Sequence, residues 1–364
     1  MRNIDALRQR FDAAANRPPV KALSATGQLG YGILEPSLRN GLDRRPDFIG
    51  ADMGSTDPGP NYLGSGQMAT SMATTERDLR LLLRGAAEIE VPLIIGSAGT
   101  GGALPHLEAT LEIVRLIAAE DGLHFRLATI TADIEKEMVK TADAAGRLTP
   151  LGSNIHATAE DIDNSSHIVA QMGTDAICRA LETGAEVVIT GRACDTAIFT
   201  AIPRLLGFPE APNLHMAKII ECASQCCLPG GRDAMLGMLD DDGFVLESMN
   251  PERHATPMSV AAHSLYEQAS PYTVIEPEGT LHLEEARYEA VDDHRTRVSG
   301  AEWRPAEQLT VKLEAAAPVG ERVVLLAASI DPRFIAGLDE ILPAVKRTVA
   351  EIVPPDPARP YALD

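Results

Sequence analysis

Between residues 20 and 240, short apolar runs that end in glycine or aspartate alternate with amphipathic stretches, and few architectures accept that order. VKALSAT runs into Gly27, Gly30 and Gly32, and Phe48 and Ile49 run into a loop that begins at Asp52. The apolar residues 93–95 run into GSAGTGG, FRLATITAD stops at Asp133, and GAEVVITGRACD passes Gly191 and Arg192 to reach Asp195. Apolar spacing predicts helices at about 33–42, 75–88, 107–119, 162–183 and 196–206 between them. Repeated strand-then-helix order implies an α/β fold, a mostly parallel sheet with helices on both faces. The polar loops then fall at strand carboxyl ends, where open α/β sheets bind ligands. Residues 52–62, 97–100, Asp133 and 192–195 are therefore expected to share one crevice.

Past about Met238 the pattern changes. GFVLESM, TLHLEEARYEAV, TRVSGAEW and LTVKL alternate with turn signals such as DDDG and VDDH, and ERVVLLAASI adds a more continuous apolar strand. A smaller β-rich region is expected over 241–364, with a helix at about 334–353 and an irregular Pro-rich tail, beside an α/β core over 1–240. The first residues, MRNIDALRQRFDAAANR, place Ile4, Leu7 and Phe11 on one helical face and lack the apolar core of a signal peptide, so a cytoplasmic location is expected. No apolar run approaches the ~20 residues of a membrane span. A net charge of −20 argues against a nucleic-acid partner, which needs clustered Lys and Arg. Five cysteines without a CxxC pair point to a reducing compartment.

The densest chemistry lies in FIGADMGSTDPGPNYLGSG, where Asp52, Ser55, Thr56, Asp57 and Tyr62 sit on a backbone that glycine and proline keep out of helix and sheet. Asp52 and Asp57 are hard oxygen donors suited to a divalent metal, if one is bound, while Ser55 and Thr56 supply donors. The alternative is a self-capped loop with an Asx-turn at Asp57. In GSAGTGG, Ser97, Gly99, Thr100 and Gly101 suit a backbone cradle for an anion or carbonyl; a tight β–α turn is the other reading. The stretch lacks a Walker lysine and the last glycine of GxGxxG, so no nicotinamide or flavin is expected. Arg192 could clamp a carboxylate and Asp195 could act as base or cap a helix. Glu221 and Cys222 in IIECASQCC are candidates for base and nucleophile, a packed cysteine being the alternative. His156 is the histidine nearest a strand-end loop.

Taken in order, IGADMGSTDPGPNYLGSG, GSAGTGG, ITGRACDTA, IIECASQ, DDDGFVLES and RVSGAEW resemble the acyclic terpene utilisation (AtuA-like) family over about residues 20–310. The match departs at ECASQ, where family members often carry ECGAQ. The resemblance implies carboxylic acids or their CoA thioesters as substrates and a lyase, hydratase or isomerase step. Asp57, Asp195 or Glu221 would then remove a proton α to a carbonyl while Arg192 holds the substrate. Rivals are Cys222-dependent acyl transfer or hydrolysis, a metal-assisted enzyme using Asp52 and Asp57, and a non-catalytic subunit. A homo-oligomer is expected, with room for a small partner subunit.

Overall fold

The computed structural model describes residues 2–152, 155–264, 266, 270–320, 326, 328–354, 357 and 361. The chain forms two compact units, Met1–Pro318 and Val319–Asp364. The first opens with α1 (Ile4–Asp12), capped by Asn3, which buries Ile4, Leu7 and Phe11 at helical spacing. There follow β1 (Val20–Ser24), α2 (Glu35–Asp43), β2 (Phe48–Asp52), α3 (Asn61–Ser65), α4 (Met72–Ile89), β3 (Leu93–Gly96), α5 (Leu104–Asp121) and β4 (Leu127–Ile130). Next come α6 (Lys136–Ala144), α7 (Ala159–Asn164), β5 (His167–Ala170), α8 (Thr174–Glu182), β6 (Val187–Thr190), α9 (Asp195–Leu205), α10 (Glu210–Ile220) and a 3-10 turn, Ala223–Cys226. The unit ends with β7 (Met235–Leu239), β8 (Gly243–Ser248), α11 (Pro257–His263), β9 (Thr273–Glu276), β10 (Gly279–His282), β11 (Arg287–Ala290), β12 (Arg295–Ser299), β13 (Glu302–Pro305) and β14 (Leu313–Ala316). The second unit holds α12 (Pro332–Ala336) and α13 (Leu338–Ile352).

The main sheet runs β11-β12-β8-β7-β1-β2-β3-β6-β4. Its half from β1 to β4 is parallel, as the strand–helix alternation requires, and its half from β7 to β11 is antiparallel. Alternate side chains feed two cores. Val20, Phe48, Ile94 and Val188 pack with α1, α8, α9 and α10 on one face, and Leu23, Ile49, Leu93 and Ile189 with α2, α4 and α5 on the other. The chain therefore travels outward from β1 along one face and returns along the other. The return matters for the site, because α9 packs back over β2 and β3, and α10 then delivers the chain beside β7 and β1. Gly27, just past β1, marks how close this brings the segments: a Cβ there would lie 3.0 Å from the Cys222 carbonyl oxygen.

Two expectations about elements change. The helix expected over 162–183 is α7, β5 and α8, because the β-branched residues Ile168 and Val169 pair in a strand with β14, far along the chain. The boundary expected at 240 falls in the turn between β7 and β8, neighbours in one sheet, while β9, β10 and β13 form a separate three-stranded sheet. The strand expected in LTVKL (309–313) lies further along the chain, at β14, which begins only at Leu313, and the helix expected at about 334–353 is α12 and α13. The strand expected in ERVVLLAASI and the Pro-rich tail lie mostly outside the described residues.

Candidate active site: a buried carboxylate cluster at the strand ends

The register sets the site. Asp52 closes β2 opposite Gly96 of β3, and β6 stops at Thr190, so Asp52, Ser97 and Arg192 emerge at one level. The turn after β3 is held tightly. Ser97 and Thr100 adopt positive φ (49° and 82°), as does Ala223 (51°) after Glu221, a conformation that side chains other than glycine resist. Gly102, at φ 67°, lies so close to the next strand that a Cβ would meet the Arg192 amide nitrogen at 2.2 Å. The Arg192 amide in turn donates to the Gly102 carbonyl at 3.1 Å.

Arg192 is buried, and its guanidinium is committed. Nε and Nη2 donate to the two oxygens of Glu314 (2.8 and 3.4 Å), and Nη1 donates to Ser97 Oγ (3.1 Å) and the Ala193 carbonyl (3.0 Å). Its Nη1 also lies 3.7 Å from Asp195 Oδ1. Asp52 is 5% exposed; one oxygen accepts the Gly54 amide at 2.6 Å, and the other has no hydrogen-bond partner. Burial, and next the charge of Asp195, push its carboxyl well above the usual range, against Arg192 and the Gly54 amide. Glu221, 4% exposed at the end of α10, pairs with Lys218 one helical turn earlier. Burial raises its pKa too, Lys218 opposing and Asp195 adding to the rise. Lys218 is pulled down by burial, but Glu221 and Asp195 more than offset this and hold it charged. Asp195 joins the two halves. It opens α9, its Oδ1 is buried without a hydrogen-bond partner, and its side chain is 31% exposed. Thr196 donates to Glu276 at 3.0 Å, a carboxyl that burial pushes up to about 7.

The sequence candidates divide accordingly. Asp52, Ser97, Arg192, Asp195 and Glu221 come together, with Cys222 partly buried after Glu221 and close enough to Lys218 to favour its charge. Asp57 does not join them. It is exposed, its amide donates to Ser55 Oγ at 3.1 Å, and the Gly59 amide closes onto the Thr56 carbonyl at 2.9 Å, so the loop caps itself through Ser55 instead of through an Asx-turn. Asp57 is not among the groups that act on Asp52, and among the described residues no group of three or more His, Cys, Asp or Glu could hold a metal ion. Of the anion cradle expected at Ser97, Gly99, Thr100 and Gly101, two of the four amides are spent within the protein. The stretch is buried, and the amides of Ser97, Ala98, Thr100 and Gly102 already donate to carbonyls. Gly99 and Gly101 pack against His106, which meets the Tyr62 carbonyl at 3.0 Å. Arg192, expected as a substrate clamp, spends its guanidinium on Glu314, Ser97 and the Ala193 carbonyl. Asp133 bridges to Val169 with its side chain exposed, and His156 is exposed and meets Asp143 at 2.8 Å. Asp195 sits in the first turn of α9, where the N-cap residue is Cys194, and makes no capping bond.

Sequence reasoning missed Lys218, Glu276 and Glu314. Lys218 had a signal, the three-residue spacing to Glu221 on one helix face. Glu314 had none, because it reaches Arg192 from β14, 122 residues away.

Fold and site define an α/β protein with a charged crevice at the carboxyl ends of its parallel strands. The family described as acyclic terpene utilisation family protein AtuA matches residues 73–335, and the chain belongs to that family. Membership implies a role in acyclic terpene utilisation. The matched span holds Ser97, Arg192, Asp195, Lys218, Glu221 and Glu314, whereas Asp52 precedes it. No curated protein and no solved structure matches the chain. Among the described residues no helix is long and apolar enough to cross a membrane.

Proposed function

We propose that this chain is a cytoplasmic enzyme that moves a proton α to the carbonyl of a branched or unsaturated carboxylic acid or its CoA thioester, in a lyase, hydratase or isomerase reaction. The observation that supports it is a set of three carboxylates, Asp52, Asp195 and Glu221, packed with two cations while Asp52 and Asp195 each keep an unpartnered buried oxygen. Neighbouring carboxyl groups whose environments differ are suited to separate acid and base roles. Asp195, the most open of the three, takes the α-proton. The electron pair moves onto the carbonyl oxygen, where the Lys218 ammonium offsets the developing charge. On a β-hydroxy substrate the enolate electron pair then returns to form the Cα–Cβ double bond, and Glu221, whose pKa burial and Asp195 raise, supplies the proton with which the β-hydroxyl leaves as water. Arg192 is a positioning residue that fixes Asp195 and Ser97 through its bonds to Glu314 and the backbone.

Exchange of the α-proton in D₂O, followed by NMR over a panel of branched and unsaturated acids and their CoA thioesters, tests this. Wild type should exchange at least one member, Asp195→Asn should be slower by ~10²–10⁴-fold, and Asp57→Asn should match wild type. An Asp195→Asn variant with wild-type exchange removes the reading. A chain that exchanges nothing yet melts higher with one of the acids is a binding subunit instead.

A further inference from the structure

A carboxyl carbon is bonded to the α-carbon, so a substrate whose α-proton meets Asp195 sets its own carbonyl group among the neighbours of Asp195. Three of those neighbours are carboxyl groups, Asp52, Glu221 and Glu276, each close enough to feel the charge of Asp195. The two cations beside them already have partners: Arg192 bonds to Glu314, Ser97 and the Ala193 carbonyl, and Lys218 pairs with Glu221. Asp52 and Asp195 each keep a buried oxygen without a hydrogen-bond partner. A substrate carboxylate would add two more acceptors and one more negative charge to this set, and a buried charge without a partner is costly. A thioester carbonyl adds one acceptor and no charge.

Glu276 reaches the cluster from a separate sheet. It ends β9, whose alternation turns Val274 and Glu276 to one side and Ile275, 82% exposed, to the other. Val274 packs with Leu214 of α10, and Lys218 lies one helical turn past Leu214 on the same helix face. Thr196, next to Asp195, donates to Glu276 at 3.0 Å. Just beyond β9, Glu278 accepts Arg204 Nη2 at 2.9 Å and the Asp175 amide at 3.3 Å, which pins the turn to α8 and α9. Glu276 is thereby held facing Cys194, Asp195 and Thr196 of α9 and Lys218 of α10, with Glu278 beside it. Burial, with Asp195 and Glu278 adding, pushes its carboxyl up to about 7 against Thr196 and Lys218.

We infer that the site takes its substrate as the neutral thioester and rejects the free acid, and that Glu276 is a specificity-determining residue whose negative charge enforces this choice. The surplus of acceptors over donors around Asp195 selects the uncharged form. The inference rests on the reading of Asp195 as the base that meets the α-carbon.

Calorimetric titration of the full chain with pivalate and with its N-acetylcysteamine thioester tests it, since neither molecule has an α-proton to lose. At pH 8 wild type should bind the thioester at least about tenfold more tightly than the acid. From pH 8 to pH 6 the acid should gain about fivefold or more while the thioester does not move, because Glu276 takes up a proton and the acid stays ionised. In Glu276→Gln, whose amide oxygen still accepts from Thr196, the acid should bind at pH 8 to within about twofold of its wild-type affinity at pH 6. An unchanged thioester affinity in that variant shows that the site is intact, and Asp57→Asn should leave every value alone. Acid bound as tightly as thioester at pH 8, a ratio that neither pH nor Glu276→Gln moves, or no binding of either molecule overturns the inference. A ratio that responds to Glu276→Gln, with no α-proton exchange across the panel of acids and thioesters, keeps the charge selection and removes the proposed chemistry. Free acids that exchange as fast as their thioesters do the reverse.

Discussion

Burial works in opposite directions on the acids and the histidines of this protein, and both effects are readable in its stability. Glu276 has its carboxyl raised from the ordinary 4.5 to about 7 by burial. Between those values the folded chain holds a proton that the unfolded chain has released, so this contribution is present below pH 4.5 and is lost as pH rises through 7. Asp52 and Glu221 act with the same sign. His215 is lowered by burial from 6.5 to about 3, so its contribution is present above pH 6.5 and is lost as pH falls toward 3. Urea denaturation from pH 4 to 8 should therefore show a flatter alkaline limb in Glu276→Gln and a flatter acid limb in His215→Phe. Unchanged limbs would mean that these groups are solvated in the folded state. At this scale the sequence pointed to Asp52, Asp195 and Glu221 through their places at strand and helix ends. It misplaced Asp57, because a carboxylate in a polar loop reads the same whether it faces a ligand or water.

Elements are held by bonds that tie loops to helices. Asp78, buried on the apolar face of α4, accepts the amides of Gly30, Gly32 and Ile33 at 2.9–3.0 Å and pairs with Arg77. Removing it strands three amides of the loop that follows β1, so Asp78→Ala should cost about 3 kcal/mol or more in chemical denaturation. The turn after β3 is the other sensitive point. Gly102→Ala places a methyl against the Arg192 backbone at positive φ and should cost roughly 2–4 kcal/mol, with loss of any activity that depends on Arg192. Wild-type stability in Gly102→Ala would show that the turn can open at no cost. Most parallel strands and their helices were legible from period and glycine punctuation. The stretch 162–183 was not, because β5 is a strand only by virtue of its partner β14.

Across the whole molecule, one long-range pair closes the site. Glu314 brings β14 onto Arg192, and Lys312 joins it at 2.7 Å. Glu314→Ala leaves the buried guanidinium with Asp195 at 3.7 Å as its nearest carboxylate partner and should cost roughly 3 kcal/mol. It should also slow α-proton exchange while leaving Asp57→Asn-type surface changes silent, a combination that simple unfolding would not produce. By itself the sequence determined the parallel half of the sheet, its two apolar faces and the strand ends where polar residues gather, because those follow from side-chain period and from where glycine breaks it. Tertiary structure decided which polar residues meet. The return of the chain over β2 and β3 carries Glu221 and Lys218 to Asp195, and β14 supplies the carboxylate that commits Arg192. Such meetings depend on burial and charge pairing between distant segments, and local spacing carries no record of them.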